Sequence, residues 1–171
     1  MTQPKMQKTR NTGVAEPRLV NGRALLIAGL RCRYNGETLD NIPEQWQRFA
    51  THVGKIPGQA SRVTYGVCWQ AADGGGIEYL SGVEVSGFAG LRSEFTVVSI
   101  PAHQYAIFAH REHVSRLSDT VEAIFDRRLA ESGFEAATGS AETPDFLERY
   151  SEEFDALTGT GGMEVWVPIQ S

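Results

Sequence analysis

Asn41-Ile42-Pro43-Glu44-Gln45-Trp46-Gln47-Arg48-Phe49-Ala50-Thr51-His52-Val53-Gly54-Lys55-Ile56-Pro57-Gly58 is the stretch on which the fold turns. Within it Trp46, Phe49, Val53 and Ile56 recur at spacings of three and four, which sets them on one face of a helix. Asn41 and Glu44 read as a capping box, Pro43 suits the first turn, and Pro57-Gly58 reads as the stop. The pattern returns once: Leu117, Val121, Ile124, Phe125 and Leu129 form a second apolar face, and Gly133 supplies a left-handed cap. Each predicted helix is therefore amphipathic and needs a sheet to cover.

Working outward, period-two alternation predicts strands at 24–34, 63–70 and 78–86 around the first helix. Strands at 95–100, 103–109, 146–150 and 163–169 accompany the second. Asp73-Gly74-Gly75-Gly76 suits positive φ and makes a hairpin of the strands on either side of it. Residues 136–144 are small and polar, as in a loop. An apolar strand, a helix and two strands thus occur twice, and a doubled unit implies a cleft between its halves. The expectation is an α+β domain over 21–171 behind a flexible tail, 1–20, with module one at about 24–90 and module two at about 94–170.

With 171 residues, 41% of them hydrophobic, the chain suits one domain with a substantial core. It has no apolar run of the ~20 residues that span a bilayer, and 1–17 lack the apolar stretch of a signal peptide. The cytoplasm is the expected location, with no membrane partner. Net charge is −5 and the only basic concentration is the tail (Lys5, Lys8, Arg10, Arg18), so direct nucleic-acid binding is not expected. About 20 residues before the first strand are too few for a helix-turn-helix, so a free-standing domain is expected. Cys32 and Cys68 each sit in an apolar strand and read as small buried hydrophobes.

Six ordered stretches carry a resemblance: Ile42-Pro43-Glu44-Gln45-Trp46-Gln47-Arg48-Phe49, Tyr65-Gly66-Val67, Tyr79-Leu80-Ser81-Gly82-Val83-Glu84-Val85, Ile100-Pro101-Ala102-His103-Gln104-Tyr105-Ala106-Ile107-Phe108, Asp145-Phe146-Leu147-Glu148-Arg149-Tyr150 and Glu164-Val165-Trp166-Val167-Pro168-Ile169. In their order and spacing the chain resembles the GyrI-like small-molecule-binding domain, also called the AraC-type effector-binding domain. The resemblance implies two pseudo-symmetric strand-helix-strand-strand modules forming a curved antiparallel sheet. Helices cover one side, and an aromatic groove between the modules takes hydrophobic, often cationic ligands. It further implies one of three roles: a free-standing small-molecule (effector or drug) binding protein that sequesters or senses its ligand, a gyrase-inhibitor-like protein-interaction module, or a metal-independent hydrolase of cyclopropane-containing compounds.

The resemblance places a counter-charge glutamate at Glu148. The residues themselves leave two readings open. Phe146, Glu148 and Tyr150 point the same way in an extended strand, as a cation cage requires, while a solvated edge-strand glutamate has the same spacing. On the last strand Glu164 and Trp166 share the face opposite Met163, Val165 and Val167 and form a second candidate for the groove, or a half-exposed pair. Tyr65 and Trp69 face one way in their strand, and Tyr105 shares a face with Ile107; each is either a ligand wall or core. Glu84 reads better as the exposed face of a hairpin.

The hydrolase branch implied by the resemblance pairs a tyrosine in a Tyr-Gly context with the groove glutamate, which here gives Tyr65 and Glu148. A desolvated carboxylate could then activate water beside a tyrosine hydroxyl. No metal or cofactor is expected: His110 and His113 lack the spacing of a zinc helix, and Gly74 to Gly76 precede a strand without a Lys-Ser/Thr pair.

Overall fold

The computed structural model describes residues 14–137 and 142–170. The expected tail lies for the most part outside them, as does the middle of the loop expected at 136–144. The strands are β1 (Arg18–Gly22), β2 (Leu25–Tyr34), β3 (Gln59–Gln70), β4 (Ile77–Val85), β5 (Thr96–Ile100), β6 (His103–His110), β7 (Phe146–Tyr150) and β8 (Met163–Pro168). Helix α1 (Ile42–Ala50) joins β2 to β3, and α2 (Leu117–Ala123) stands between β6 and β7.

All eight strands form one antiparallel sheet in the order β1-β6-β8-β7-β3-β4-β2-β5. Outward from the central β7/β3 seam, each half runs through the second, third and first strand of its own strand-helix-strand-strand unit. The order is therefore palindromic about the seam, as a pseudo-twofold pair of modules requires. β5 is one margin and β6 lies next to the other, yet only Pro101 and Ala102 separate them, so the sheet must curl.

Both helices cover one face. Phe49, Ile56 and Trp46 pack on Ala28, Val83 and Val85, while Leu117, Ile124 and Leu129 pack on Ala106, Phe108 and Val165. The opposite face holds its own apolar cluster, with Leu25, Ile27, Tyr65, Val67, Tyr105, Ile107 and Leu147. Because Leu25 and Ile100 lie toward one margin and Tyr105 and Ile107 toward the other, it is the curl that lets this face bury itself. Among the described residues no helix is long and apolar enough to cross a membrane.

The helices depart from expectation in detail. Asn41 makes no side-chain cap: it ends a 3-10 turn (Leu39–Asn41) with φ −88° and ψ −3°, already turned, whereas a capping side chain needs an extended backbone. α1 stops at Ala50, well before Pro57; Gly54 at φ +91° and the Gly54 N–H bonded to Gln59 Oε1 turn the chain instead. Val53 and Ile56 still reach the same core from these turns. The second helix passes through a π-helical segment, Ile124–Arg128, before a last turn, Leu129–Glu131, and Gly133 ends it at φ +86°. One strand, β1, goes beyond the expected set: it begins inside the expected tail, at Arg18.

Candidate functional site: a half-buried carboxylate at the seam

Glu148 lies in β7 directly opposite Gly66 of β3, where the two modules meet. Its register partner on the other side is Val165, so its side chain rises on the helix-covered face together with Phe146 and Tyr150. The Tyr79 hydroxyl donates to Glu148 Oε1 at 2.5 Å and the Tyr150 hydroxyl donates to the same oxygen at 2.9 Å. Trp46, carried by α1, donates its indole N–H to Tyr79 Oη at 2.9 Å and meets the Tyr150 ring edge-on at 5.2 Å. Both modules therefore contribute to the setting of one carboxylate.

The neighbouring network holds α1 in place. Gln45, fully buried, donates to the Leu30 carbonyl at 2.8 Å and the Ser81 hydroxyl at 3.0 Å, and accepts from Tyr34 Oη at 2.5 Å. These bonds pin the helix to β2 and β4 one residue before Trp46. Buried polar groups cost free energy unless bonded, so this position admits few alternatives.

The electrostatics are a consequence of burial. Desolvation pushes the Glu148 carboxyl above its ordinary 4.5, and the two tyrosine hydroxyls pull the other way by bonding its charged form. Tyr79 and Tyr150 lie well above 10, first from burial and then from the Glu148 charge, so both remain donors. Cys68, on the same face of β3, has its thiol pushed up for the same two reasons. Among the described residues no Lys, Arg or His forms an ion pair with Glu148. Nor does any described group bond its second oxygen, Oε2, which is not among the sealed partnerless atoms.

The residues singled out from sequence divide between the two faces of the sheet. Glu148 and Tyr150 are together, with Phe146 beside them. Tyr65, Trp69, Tyr105, Glu164 and Trp166 lie on the opposite face, because Tyr65 is opposite Arg149, not Glu148, and Ile107 is opposite Trp166. The pairing of Tyr65 with Glu148 is thus corrected: the sheet separates them, and the tyrosine that reaches the carboxylate is Tyr79. Glu164 is already engaged, by Arg18 at 2.9 Å, Arg149 at 3.9 Å and the Trp166 indole N–H at 2.9 Å. On that face Arg31 stacks over Trp69 at 4.5 Å, and burial raises the Tyr105 hydroxyl to about 12. Glu84 accepts from both terminal nitrogens of Arg23.

Trp46, Tyr79 and Gly66 were not singled out by sequence reasoning as site residues. One signal was available. A glycine inside a strand marks close approach of another group, and a Cβ on Gly66 would lie 2.2 Å from Tyr79 Oη. Cys32 and Cys68 are free, as expected, the second buried and the first partly so. Among the described residues no group of three His, Cys, Asp or Glu could hold a metal.

Similar proteins share the architecture. SAV2435, whose structure was determined bound to tetraphenylphosphonium, superposes with a TM-score of 0.68 at 19% identity, over 92% of this chain and 95% of that one. A putative bacterial transcription regulation protein from Staphylococcus aureus MU50 gives 0.65 at 18% identity, over 91% and 99%. At these identities the likeness concerns the fold. In sequence, the transcriptional regulator BrlR of Pseudomonas aeruginosa is 28% identical over 154 residues, 89% of this chain and 54% of BrlR, so the chain spans about half the length of that relative. The family model described as the GyrI-like small molecule binding domain matches residues 15–170, and on that match the chain belongs to the GyrI-like family.

Proposed function

We propose that this chain binds a hydrophobic cation at the seam between its modules, with Glu148 as the counter-charge. The observation that carries the reading is a carboxylate held at one oxygen by Tyr79 and Tyr150, with Trp46 and Phe146 packed beside those tyrosines, and given no cationic partner among the described residues. Burying a charge without a partner is costly, and a cationic guest would offset that cost. The aromatic edges and faces around it suit a lipophilic cation, because ring quadrupoles add to the attraction where water is excluded. The tetraphenylphosphonium complex of SAV2435 makes that compound the natural probe.

Tetraphenylphosphonium should quench tryptophan fluorescence and raise the melting temperature of the protein. Glu148→Gln should weaken binding by about tenfold or more. Glu164→Gln should leave affinity unchanged, since its charge is spent on Arg18 and Arg149. Equal affinity in the parent and the Glu148 variant would end the proposal.

A second reading, hydrolysis of an electrophilic small molecule, draws on the Tyr79–Glu148 hydrogen bond. A carboxyl with a raised pKa can take a proton from water while a tyrosine donates to developing charge. Turnover of an electrophilic cyclopropane that disappears in Glu148→Gln would support this reading, and no turnover by the parent protein removes it.

A further inference from the structure

Phe125 breaks the pattern of its own helix. Its spacing with Leu117, Val121 and Leu129 marks it for the core, yet it is 40% exposed, whereas Ile124 beside it is fully buried. Adjacent residues of a helix point about 100° apart, so with Ile124 in the core Phe125 lies at the rim. Residues Ile124–Arg128 adopt π-helical geometry, whose extra residue brings Leu129, after it, back to the core.

The contact that Phe125 makes there ties it to the site. Its ring lies 5.9 Å from that of Phe146 at 52°. Phe146 shares the face of β7 with Glu148, and it packs against the clusters of both modules. Trp46, from α1 of the other module, also packs against both clusters. The carboxylate thus has a wall from each module: Trp46 with Tyr150 in edge-on contact on one side, Phe146 backed by Phe125 on the other. Of these four rings, only Phe125 is exposed; Trp46 and Phe146 are half-buried and Tyr150 is buried.

We infer that Phe125, exposed beside Phe146, is a specificity-determining rim residue of the Glu148 site that closes over the aromatic substituents of a bound cation. The inference rests on the cation-binding reading of that site. A ring at the rim adds contact with bulky aryl groups and contributes nothing to a small aliphatic cation that sits against the carboxylate alone. Phe125 lies within a π-helical segment, a geometry that recurs at functional sites.

The test is a titration of the full chain with tetraphenylphosphonium and with tetraethylammonium, monitored by tryptophan fluorescence and calorimetry. Phe125→Leu keeps apolar bulk at a half-open position, so the fold should persist. It should weaken tetraphenylphosphonium binding about three- to thirtyfold and leave tetraethylammonium unchanged within about twofold. Phe125→Tyr, which keeps the ring, should bind tetraphenylphosphonium as the parent does. A Leu variant with parental affinity, a Tyr variant as weak as the Leu one, or equal losses for both cations would overturn the inference. Glu148→Gln in the same series separates the two proposals: parental affinity there removes the counter-charge, whereas a loss there with no effect at Phe125 removes only the rim.

Discussion

Gly66 and Glu148 face each other across the β3–β7 seam, and the side chain that Gly66 lacks is the space in which Glu148 and Tyr79 meet. A Cβ at position 66 would lie 2.5 Å from Glu148 Oε1 and 2.2 Å from Tyr79 Oη. The glycine has no positive φ to explain it; its role is room.

Gly66→Ala should therefore force the carboxylate and the phenol apart. Overpacking of this kind costs about 1–3 kcal/mol, to be read from urea denaturation, and cation affinity should fall with it. Parental stability together with parental affinity would show that both groups move aside freely and that the glycine does not shape the site.

The raised pKa of Glu148 has opposite consequences for stability and for binding. A carboxyl whose folded pKa exceeds its unfolded value of 4.5 holds its proton more tightly when native. Its contribution to stability is thus complete below 4.5 and is lost as pH rises through the folded value. Melting temperature against pH should carry this limb in the parent and lack it in Glu148→Gln. Cation affinity should run the other way, falling as pH drops from about 7.5 to about 4.5, because proton and cation compete for one carboxylate. Affinity independent of pH over that range would mean that the charge is not the attraction.

Tyr79→Phe isolates one donor. The Tyr79 hydrogen bond favours the ionised form of Glu148, so removing it should raise the carboxyl pKa further and shift the pH midpoint of cation binding upward. Stability should fall by about 1–2 kcal/mol, because the Trp46 indole N–H also loses its acceptor. Tyr150→Phe should shift the midpoint in the same direction and leave the Trp46 bond intact. If neither variant moves the midpoint, the hydroxyls do not tune the charge.

The architecture was legible in the chain because it depends on periodicity. Trp46, Phe49 and Leu117, Ile124 repeat at helical spacing, and seven of the eight strands alternate clearly enough to be found. β1 escaped because Arg18 to Gly22 alternates weakly and stands at a sheet margin, where only the β6 backbone supports it. The capping box failed because the residues before α1 were already wound into a 3-10 turn, and the same side-chain chemistry serves either geometry. The site was half legible. Glu148, Phe146 and Tyr150 lie within one short strand, so alternation alone sets them on one side.

Local order thus determined which side chains share a face of each strand and which helical stripe seeks a core, since backbone sterics impose those periods residue by residue. Which strand lies beside which, and hence which face of each is turned to the helices, came only from the packed sheet. That is why Tyr65, one residue from Gly66, stands on the far side of the sheet from Glu148, while Tyr79, from a different strand, donates to it at 2.5 Å. The physical reason is that register is a contact between distant segments, decided by the mutual burial of apolar faces when the sheet curls on itself.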